Sequence, residues 1–186
     1  MRRFLAPLAV TLFALFAAQP LFVQQLTCAD DGFYHINKAI VLEHAIRAGH
    51  LFARWMPQMA HGYGYPHFNY YAPLASYVII AIHNLGFIYP VAFHIFLASC
   101  IWLAGIGTYI FVREWWGDAA GVAAAVVYLT APYLAFDILY RGALAETFAL
   151  TWPPIILFTL HRALLATGRQ QIAVGSWSLG IGIWDS

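Results

Sequence analysis

The sequence predicts an all-α, polytopic membrane protein with about four to five transmembrane helices and two juxtamembrane helices in its first outer loop. Of its 186 residues, 62% are hydrophobic, 17% are aromatic and only 9% are charged, whereas about a quarter of the residues of a soluble domain are charged. Several apolar stretches approach the roughly 20 residues that a helix needs to cross a hydrocarbon core. We therefore expect a single membrane domain over residues 1–186.

The charge pattern excludes a nucleic-acid-binding protein. Nine Lys and Arg side chains against eight Asp and Glu give a formal net charge of +1, and no basic run forms the patch that binds a phosphate backbone. The composition instead favours membrane lipid, and ligands carried in the membrane, as partners.

The amino terminus combines two basic residues, Arg2 and Arg3, with an apolar stretch over residues 4–26. A cleaved secretory signal begins in the same way. However, residues 4–26 form a run long enough to span the bilayer, and a signal's apolar core is shorter. This favours a retained signal anchor, which is the first predicted span.

Three further apolar stretches are predicted to cross the membrane: residues 90–112, 119–136 and 147–165. A fourth, residues 73–89, is short and carries His83 and Asn84 near its end, so a crossing helix and an interfacial helix both fit it. If it crossed, three Lys and Arg would lie inside and six outside, whereas otherwise five lie inside and four outside. The positive-inside rule favours the second arrangement.

This arrangement predicts a cytoplasmic amino terminus and a first extracytoplasmic loop over residues 27–89. Within that loop, residues 31–49 are predicted to form a helix that begins at an Asp and stops at Gly49. Apolar residues recur in it at helical spacing while Lys38, Glu43 and Arg47 are expected on its surface, so we expect an amphipathic helix at the interface. The following "MAHGYGYPHFNYYAPL" is predicted to be a loop at headgroup depth.

The first outer loop opens with two adjacent carboxylates, Asp30 and Asp31. An Asp before a helix often accepts hydrogen bonds from the free N–H groups of the first turn. One Asp would meet that need, so the pair has a second interpretation: it binds a divalent cation such as Mg²⁺ or Mn²⁺, or acts as a general base on an incoming hydroxyl. Both interpretations are open at the level of sequence.

The second outer loop, "APYLAFDILYRGALAETFA", contains Asp137, Arg141 and Glu146 within apolar sequence. Ionisable groups near a span are costly unless they are paired or functional. A planar guanidinium can bind a phosphate bidentately, but an Asp137–Arg141 pair at helical spacing is an equally good interpretation. The predicted threading places this loop on the same face as Asp30 and Asp31.

Histidine and aromatic side chains accompany the acids on this face. His35, His61 and His67 do not have the spacing of a zinc site. Tyr65 and Tyr70 stand in an aromatic-rich loop, where such rings either stack on a sugar or isoprenoid or form a membrane interface belt. We include His35, Tyr65 and Tyr70 among the candidate substrate-binding residues.

With the acid pair, the interfacial helix, "GYGYPHFNYYAPL" and "RGALAE" in these positions, the sequence resembles the GT-C superfamily of integral membrane glycosyltransferases. More narrowly, it looks like the N-terminal module of the bacterial membrane proteins called pyruvoyl-tetrahydropterin-synthase-related, a name that implies no pterin chemistry here. In GT-C enzymes an acidic motif follows the first span, and two juxtamembrane helices follow it. Residues 30–31 match the acidic motif, residues 31–49 match the first juxtamembrane helix, and residues 73–89 match the second.

The resemblance implies a transferase in the bacterial cytoplasmic membrane that moves a sugar from a polyprenyl-phosphate carrier to an extracytoplasmic acceptor. It implies that Asp30 or Asp31 activates the acceptor or holds a metal. By the same analogy Asp137 and Glu146 occupy the acidic position of the second loop, and Arg141 faces the donor phosphate. The later outer loops of the family are missing from the present chain.

Two competing hypotheses remain at this stage. The protein could be a non-catalytic membrane protein, such as a transporter or an assembly component, whose acids cap helices and pair with Arg141. Transporters place polar breaks near the middle of their spans, whereas here the ionisable residues gather at one edge. The apolar segment that begins after Arg169 and stops at Ser186 suggests instead an inactive fragment of a longer protein.

Overall fold

Helices form almost all of the structure, a computed structural model that describes residues 4–26 and 29–166. Within these residues there is no β-strand. Met56 and Tyr65 form one isolated antiparallel β-bridge. The all-helical prediction is therefore confirmed. The predicted apolar segment after Arg169 lies outside the described residues.

The longest element is a helical hairpin, α5, over Tyr89–Leu129. The chain reverses at Gly117, whose φ of 80° lies in a region that glycine adopts without a Cβ penalty. The two arms approach closely because each has a glycine where it contacts the other. A Cβ on Gly121 would lie 2.9 Å from the Tyr109 carbonyl oxygen, and one on Gly105 would lie 2.9 Å from the Leu129 side chain. The Tyr109 hydroxyl also donates a hydrogen bond to Asp118 (2.8 Å) across the turn.

Two other helices pack against the first arm of this hairpin. Helix α1, Leu5–Ala17, runs antiparallel to it, and Trp102 Nε1 donates a hydrogen bond to Thr11 Oγ1 (3.1 Å). The last helical segment, Leu144–Ala166, runs parallel to it, since the rings of Phe96 and Phe148 are 5.4 Å apart near one end. Arg162 pairs with Glu114 (2.8 Å) near the other end. Successive long segments thus alternate in direction.

The remaining helices are short. They are α2, Gly32–Arg47; α3, His67–Tyr70; α4, Leu74–Asn84; α6, Pro132–Phe136, with a π-helix over Asp137–Arg141; and α7, Leu144–Thr151, which residues 153–166 continue after a bend. Helix α4 packs on α2 and on the first arm of α5.

Within residues 4–26 and 29–166, two helices are long and apolar enough to cross a membrane: Tyr89–Leu129 and Leu144–Ala166. They contain the predicted spans 90–112 and 147–165. The predicted span 119–136 is not one helix, because α5 ends at Leu129 and Pro132, which lacks a backbone N–H, begins α6. The first predicted span is also interrupted, since α1 ends at Ala17 and a short 3₁₀ turn follows. Helix lengths therefore do not support four to five spans.

Helix α2 forms close to where it was predicted, but its exposed and buried faces differ from the prediction. Lys38 and Glu43, which were expected on the surface, are 2% and 6% exposed, whereas Phe33 is 74% exposed. The polar side of the helix is covered because the loop before α4 packs over Lys38, and Tyr89 at the start of α5 hydrogen-bonds Glu43. The prediction that Lys38 and Glu43 lie on the surface of this helix is therefore wrong, whereas Arg47 is exposed as predicted.

The close packing of the α5 hairpin makes a stability prediction. Replacing Gly121 with Ala places a Cβ against the Tyr109 backbone, which cannot rotate away. We expect this overpacking to lower the free energy of unfolding by about 1–3 kcal/mol, outweighing the gain of roughly 1 kcal/mol in helix propensity. Thermal unfolding in detergent, followed by far-UV circular dichroism, measures the change.

The matched control is Gly32→Ala in α2, where a Cβ meets its neighbours at an ordinary 3.5 Å. Gly32 is the first residue of α2, so its replacement adds a methyl group without the clash and with a smaller gain in helix propensity. An unfolding temperature for Gly121→Ala at or above that of Gly32→Ala would contradict the close approach of the two arms.

Candidate functional site

The two predicted outer loops meet at one end of the helix bundle. The backbone N–H of Asp30 donates to the Tyr140 carbonyl (3.1 Å), and that of Asp31 donates to the Arg141 carbonyl (2.9 Å). Gly142 allows this approach, because its φ is 64° and a Cβ there would lie 2.8 Å from Ala29. The structure therefore brings the acid pair beside the second charged segment, while Arg113 and Arg162 lie at the opposite end.

The two carboxylates of the acid pair are not used as helix caps. Asp31 occupies the N-cap position of α2, but its side chain makes no capping hydrogen bond. Asp30 is exposed and Asp31 is half-buried, so both carboxylates are available to a ligand. The interpretation of the pair as side-chain caps is wrong, and the catalytic interpretation stays a prediction.

Arg141 lies in a cluster with two carboxylates. Its Nη1 contacts Asp137 Oδ1 at 2.7 Å and Glu146 Oε2 at 2.8 Å. Asp137 is fully buried and also accepts a hydrogen bond from Thr147 Oγ1 (3.5 Å), while the Tyr133 hydroxyl donates to Glu146. Burial raises the pKa of Asp137 above its usual range, the nearby Glu146 raises it further, and Arg141 lowers it. With both acids ionised, this cluster carries a net negative charge.

A second cluster surrounds Lys38 on α2. Its Nζ lies 4.3 Å from the ring centre of Tyr34 and 4.1 Å from that of Tyr71, so the ammonium is held between two aromatic faces. The stacked rings of His67 and Tyr71, 4.9 Å apart, form one wall. His35 lies beside Tyr71, with the ring centres 6.3 Å apart. We call these five residues the lysine cage.

Both histidines of the lysine cage are buried and each has an unpartnered ring nitrogen. His35 Nε2 accepts a hydrogen bond from the backbone N–H of Leu144 (3.3 Å), so its neutral ring carries the proton on Nδ1. His67 Nδ1 lies 3.4 Å from the Tyr34 hydroxyl. Among the described residues, nothing hydrogen-bonds His35 Nδ1 or His67 Nε2.

Burial sets the charge state of the lysine cage. It lowers the pKa of Lys38 to about 8, although the nearby Asp31 opposes the shift. Burial lowers the pKa of His35 to about 3, aided by Lys38 and His67, and that of His67 to about 4, aided by Lys38. At neutral pH the cage therefore holds one cation and two neutral imidazoles.

The structure groups the predicted site residues unevenly. Asp137, Arg141 and Glu146 form one cluster, His35 belongs to the lysine cage, and Tyr65 lies at its edge, with its ring centre 6.1 Å from that of His67. Tyr70 is 79% exposed. Sequence reasoning missed Lys38, Tyr34 and Tyr71, although positions 31, 34, 35 and 38 share one helix face.

No group of three or more His, Cys, Asp or Glu side chains in the described part of the chain could hold a metal ion. Asp30 and Asp31 offer only two carboxylates, and Asp137 is already paired with Arg141. Because Mg²⁺ is usually held by one or two carboxylates together with waters and substrate phosphates, a metal-binding role for Asp30 and Asp31 stays a prediction.

Comparison with known proteins identifies no relative: no protein-family model matches the chain, and no curated protein or solved structure is similar enough to count as a match.

The arrangement around Arg141 makes a prediction about stability and its pH dependence. Replacing Arg141 with Met leaves the buried Asp137 carboxylate without its cation, so we expect a loss of about 1–3 kcal/mol in the free energy of unfolding at pH 7. Because the pKa of Asp137 is raised, its ionised form weakens the folded state as pH rises through that pKa. The loss should therefore shrink when unfolding is measured at pH 5.

The matched control is Arg162→Met at the other end of the bundle, where the guanidinium and Glu114 are 60% and 32% exposed. An exposed pair contributes about 0–1 kcal/mol. Equal losses for the two variants, or an Arg141→Met loss that grows as pH falls, would contradict the role given to Asp137.

Proposed function

We propose that this chain is the N-terminal module of a GT-C-like membrane glycosyltransferase, which transfers a sugar from a polyprenyl-phosphate carrier to an extracytoplasmic acceptor. The observation that carries the proposal is the docking of the Asp30–Asp31 segment on residues 140–142, at one end of an apolar helix bundle. Two carboxylates that form no ion pair among the described residues meet a guanidinium and a buried ammonium there, and these are the groups that acid–base and phosphate chemistry require.

Exposed apolar helix surface supports the membrane location. Only 11% of the most apolar window of Leu144–Ala166 is buried, whereas the core helix of a soluble protein is largely buried. In the proposed topology α1, the two arms of α5 and Leu144–Ala166 cross in alternating directions, and the shorter helices are accommodated by local thinning of the bilayer. Helix α4, with 11 residues, lies in the first outer loop, and the amino terminus is cytoplasmic.

An apolar groove of about 290 Å³ between α1, α5 and α6 supports a lipid-linked donor. Its lining runs from Phe13 and Phe16 to Ile138 and Leu139, which belong to the same π-helix as Arg141. An isoprenoid chain fits this lining, because the groove is apolar and its far end adjoins the charged clusters. The phosphate of the donor would then lie near the acid pair.

In the proposed reaction, Asp30 or Asp31 accepts the proton of an acceptor hydroxyl. The acceptor oxygen forms a bond to the anomeric carbon as the bond from that carbon to the phosphate oxygen breaks, and the electron pair leaves with the polyprenyl phosphate. Arg141 stabilises the leaving phosphate through the guanidinium N–H groups that do not contact Asp137 and Glu146. Tyr65 and Tyr70 are the proposed stacking surfaces for the sugar.

The competing function is a non-catalytic membrane component. The observation that favours it is the pairing of Arg141 with two carboxylates, which gives each of the three groups an ion-pair partner without a ligand. Asp30 and Asp31 form no such pairs in the described part of the chain. The two candidate functions therefore differ in the role that they give to this acid pair.

The decisive variant is the double substitution Asp30→Asn and Asp31→Asn in the full-length protein. We expect it to abolish transfer, a loss of at least about 100-fold, while membrane insertion stays unchanged and the unfolding temperature changes little, because among the described residues neither carboxylate forms an ion pair within 4.0 Å and Asp31 makes no capping hydrogen bond. Consumption of polyprenyl-phosphate-linked hexoses, each supplied separately to purified protein in lipid, is measured by mass spectrometry.

The matched control is Glu114→Gln, which removes a carboxylate from the opposite end of the bundle. It should retain full turnover. Undiminished donor consumption by the Asp30, Asp31 double variant would exclude a catalytic role for the pair and favour the non-catalytic alternative.

A further inference from the structure

The lysine cage contains a buried N–H donor, His35 Nδ1–H, that has no acceptor among the described residues. Lys38 and His35 are each 2% exposed, and His67 is 3% exposed. The neutral His35 ring presents an unpartnered Nδ1–H, and no ion pair within 4.0 Å of Lys38 exists among the described residues. Buried donors are normally satisfied, so the cage lacks an acceptor that a ligand could supply.

The chemistry of that acceptor follows from charge. Lys38 is a cation with no carboxylate in contact, whereas the charge of Arg141 is already offset by Asp137 and Glu146. An incoming phosphate can therefore contact Lys38 in addition to the N–H groups of Arg141 that do not contact Asp137 and Glu146. An ammonium beside an imidazole N–H matches the oxygens of a phosphoryl group, which accept several hydrogen bonds at once.

Access to the lysine cage is through its tyrosines. Tyr34, Tyr65 and Tyr71 are each between 42% and 44% exposed, so their rings separate the buried Nζ from the outside. Tyr71 follows the short helix α3, next to the loop that leads to α4. Rotation of its ring off Lys38 would open a path without unfolding α2.

We propose that Lys38 and His35 form a phosphoryl-binding subsite, in which Lys38 Nζ and His35 Nδ1–H bind the phosphate oxygens of a ligand and Tyr71 is displaced from the ammonium. Taken with the proposed function, on which this identification rests, the ligand is the phosphate of the polyprenyl-linked donor. Asp31, two helical turns before Lys38 and on the same face of α2, would then face the phosphate that leaves.

The test is direct binding to the purified full chain in lipid nanodiscs, with inorganic phosphate and farnesyl monophosphate as separate probes. Lys38→Met keeps the length of the side chain and removes its charge. We expect it to weaken binding of the phosphoryl probe by about 10- to 100-fold, the value of one charge-assisted hydrogen bond. Farnesyl monophosphate binding more tightly than phosphate would identify a lipid phosphate, and equal affinity would identify a free phosphate.

The matched control is Arg54→Met, which removes one exposed positive charge from the same loop region. It should leave the affinity within about twofold. Equal weakening by Arg54→Met and Lys38→Met would show diffuse surface electrostatics and overturn the subsite. Binding that is unaffected by Lys38→Met, or absent from the wild-type chain, would overturn it as well.

The pH dependence of binding is a second measurement, because a purely structural role of Lys38 would not produce it. The groups that face Lys38 are Asp31, Tyr34 and His35 on α2, together with His67 and Tyr71 from the covering loop. Lys38 itself changes charge near pH 8. The affinity for farnesyl monophosphate should therefore fall as pH rises above about 8.

Lys38→Arg should bind at pH 7 and lose this decline, since an Arg side chain stays charged. It also keeps the test valid if Lys38→Met fails to fold. An affinity that falls equally above pH 8 in the wild type and in Lys38→Arg would contradict titration of Lys38.

The two proposals fail separately. Phosphoryl binding that depends on Lys38, in a protein that transfers no sugar from any donor tested, would support the subsite and contradict the glycosyltransferase. Full sugar transfer by Lys38→Met would support the glycosyltransferase and contradict the subsite.

Discussion

The backbone contact between residues 30–31 and residues 140–141 is the constraint on which the site depends. It joins the segment before α2 to the π-helix before α7, which are distant in the chain, through two N–H to C=O hydrogen bonds. Gly142 is required at the crossing, since any side chain there would meet Ala29. Because these bonds use backbone atoms, they hold the acid pair in place and leave both carboxylates free.

The contact has an electrostatic consequence. On one side of it lies the Arg141 cluster, in which a single cation is shared by two carboxylates. On the other lies the lysine cage, whose cation is compensated by aromatic faces and by the nearby Asp31. The contact thus places a cation that two carboxylates share beside a buried cation that has no ion pair within 4.0 Å among the described residues.

Much of the helical framework could be predicted from the sequence, because apolar runs directly encode burial in lipid or in a core. The stretches 90–112 and 147–165 lie inside real helices. The break between Leu129 and Pro132 was missed because residues 119–136 are apolar throughout, and hydropathy does not register a missing N–H donor. Charge counting placed Asp30, Asp31 and Arg141 on the same side of a membrane. It could not predict the contact between them, because it carries no information on distance.

The lysine cage could not have been predicted in the same way. Its two walls come from α2 and from the loop before α4, and Tyr34 and His67 are 33 residues apart, so local spacing carries no signal of their contact. The assumption that a helix charge faces water also pointed Lys38 outward. That assumption holds when burial leaves a cation without partners, but two aromatic faces can replace part of its hydration.

The inward orientation of the charged side chains also explains the exposed face of α2. With Lys38, Glu43 and His35 turned inward, Phe33 is left on the outer surface of the helix. In water this would be unfavourable, because the apolar ring is exposed while charges are buried. At a membrane interface the cost falls, since the ring enters the headgroup region and the buried polar groups gain a ligand or a partner. Ile36, Ala39 and Leu42 are nevertheless buried beside the polar site, and Asn37, His44 and Arg47 are exposed beside Phe33 and Tyr34. The outer surface of α2 is therefore mixed, with two aromatic rings that suit an interface and polar side chains that suit water or headgroups.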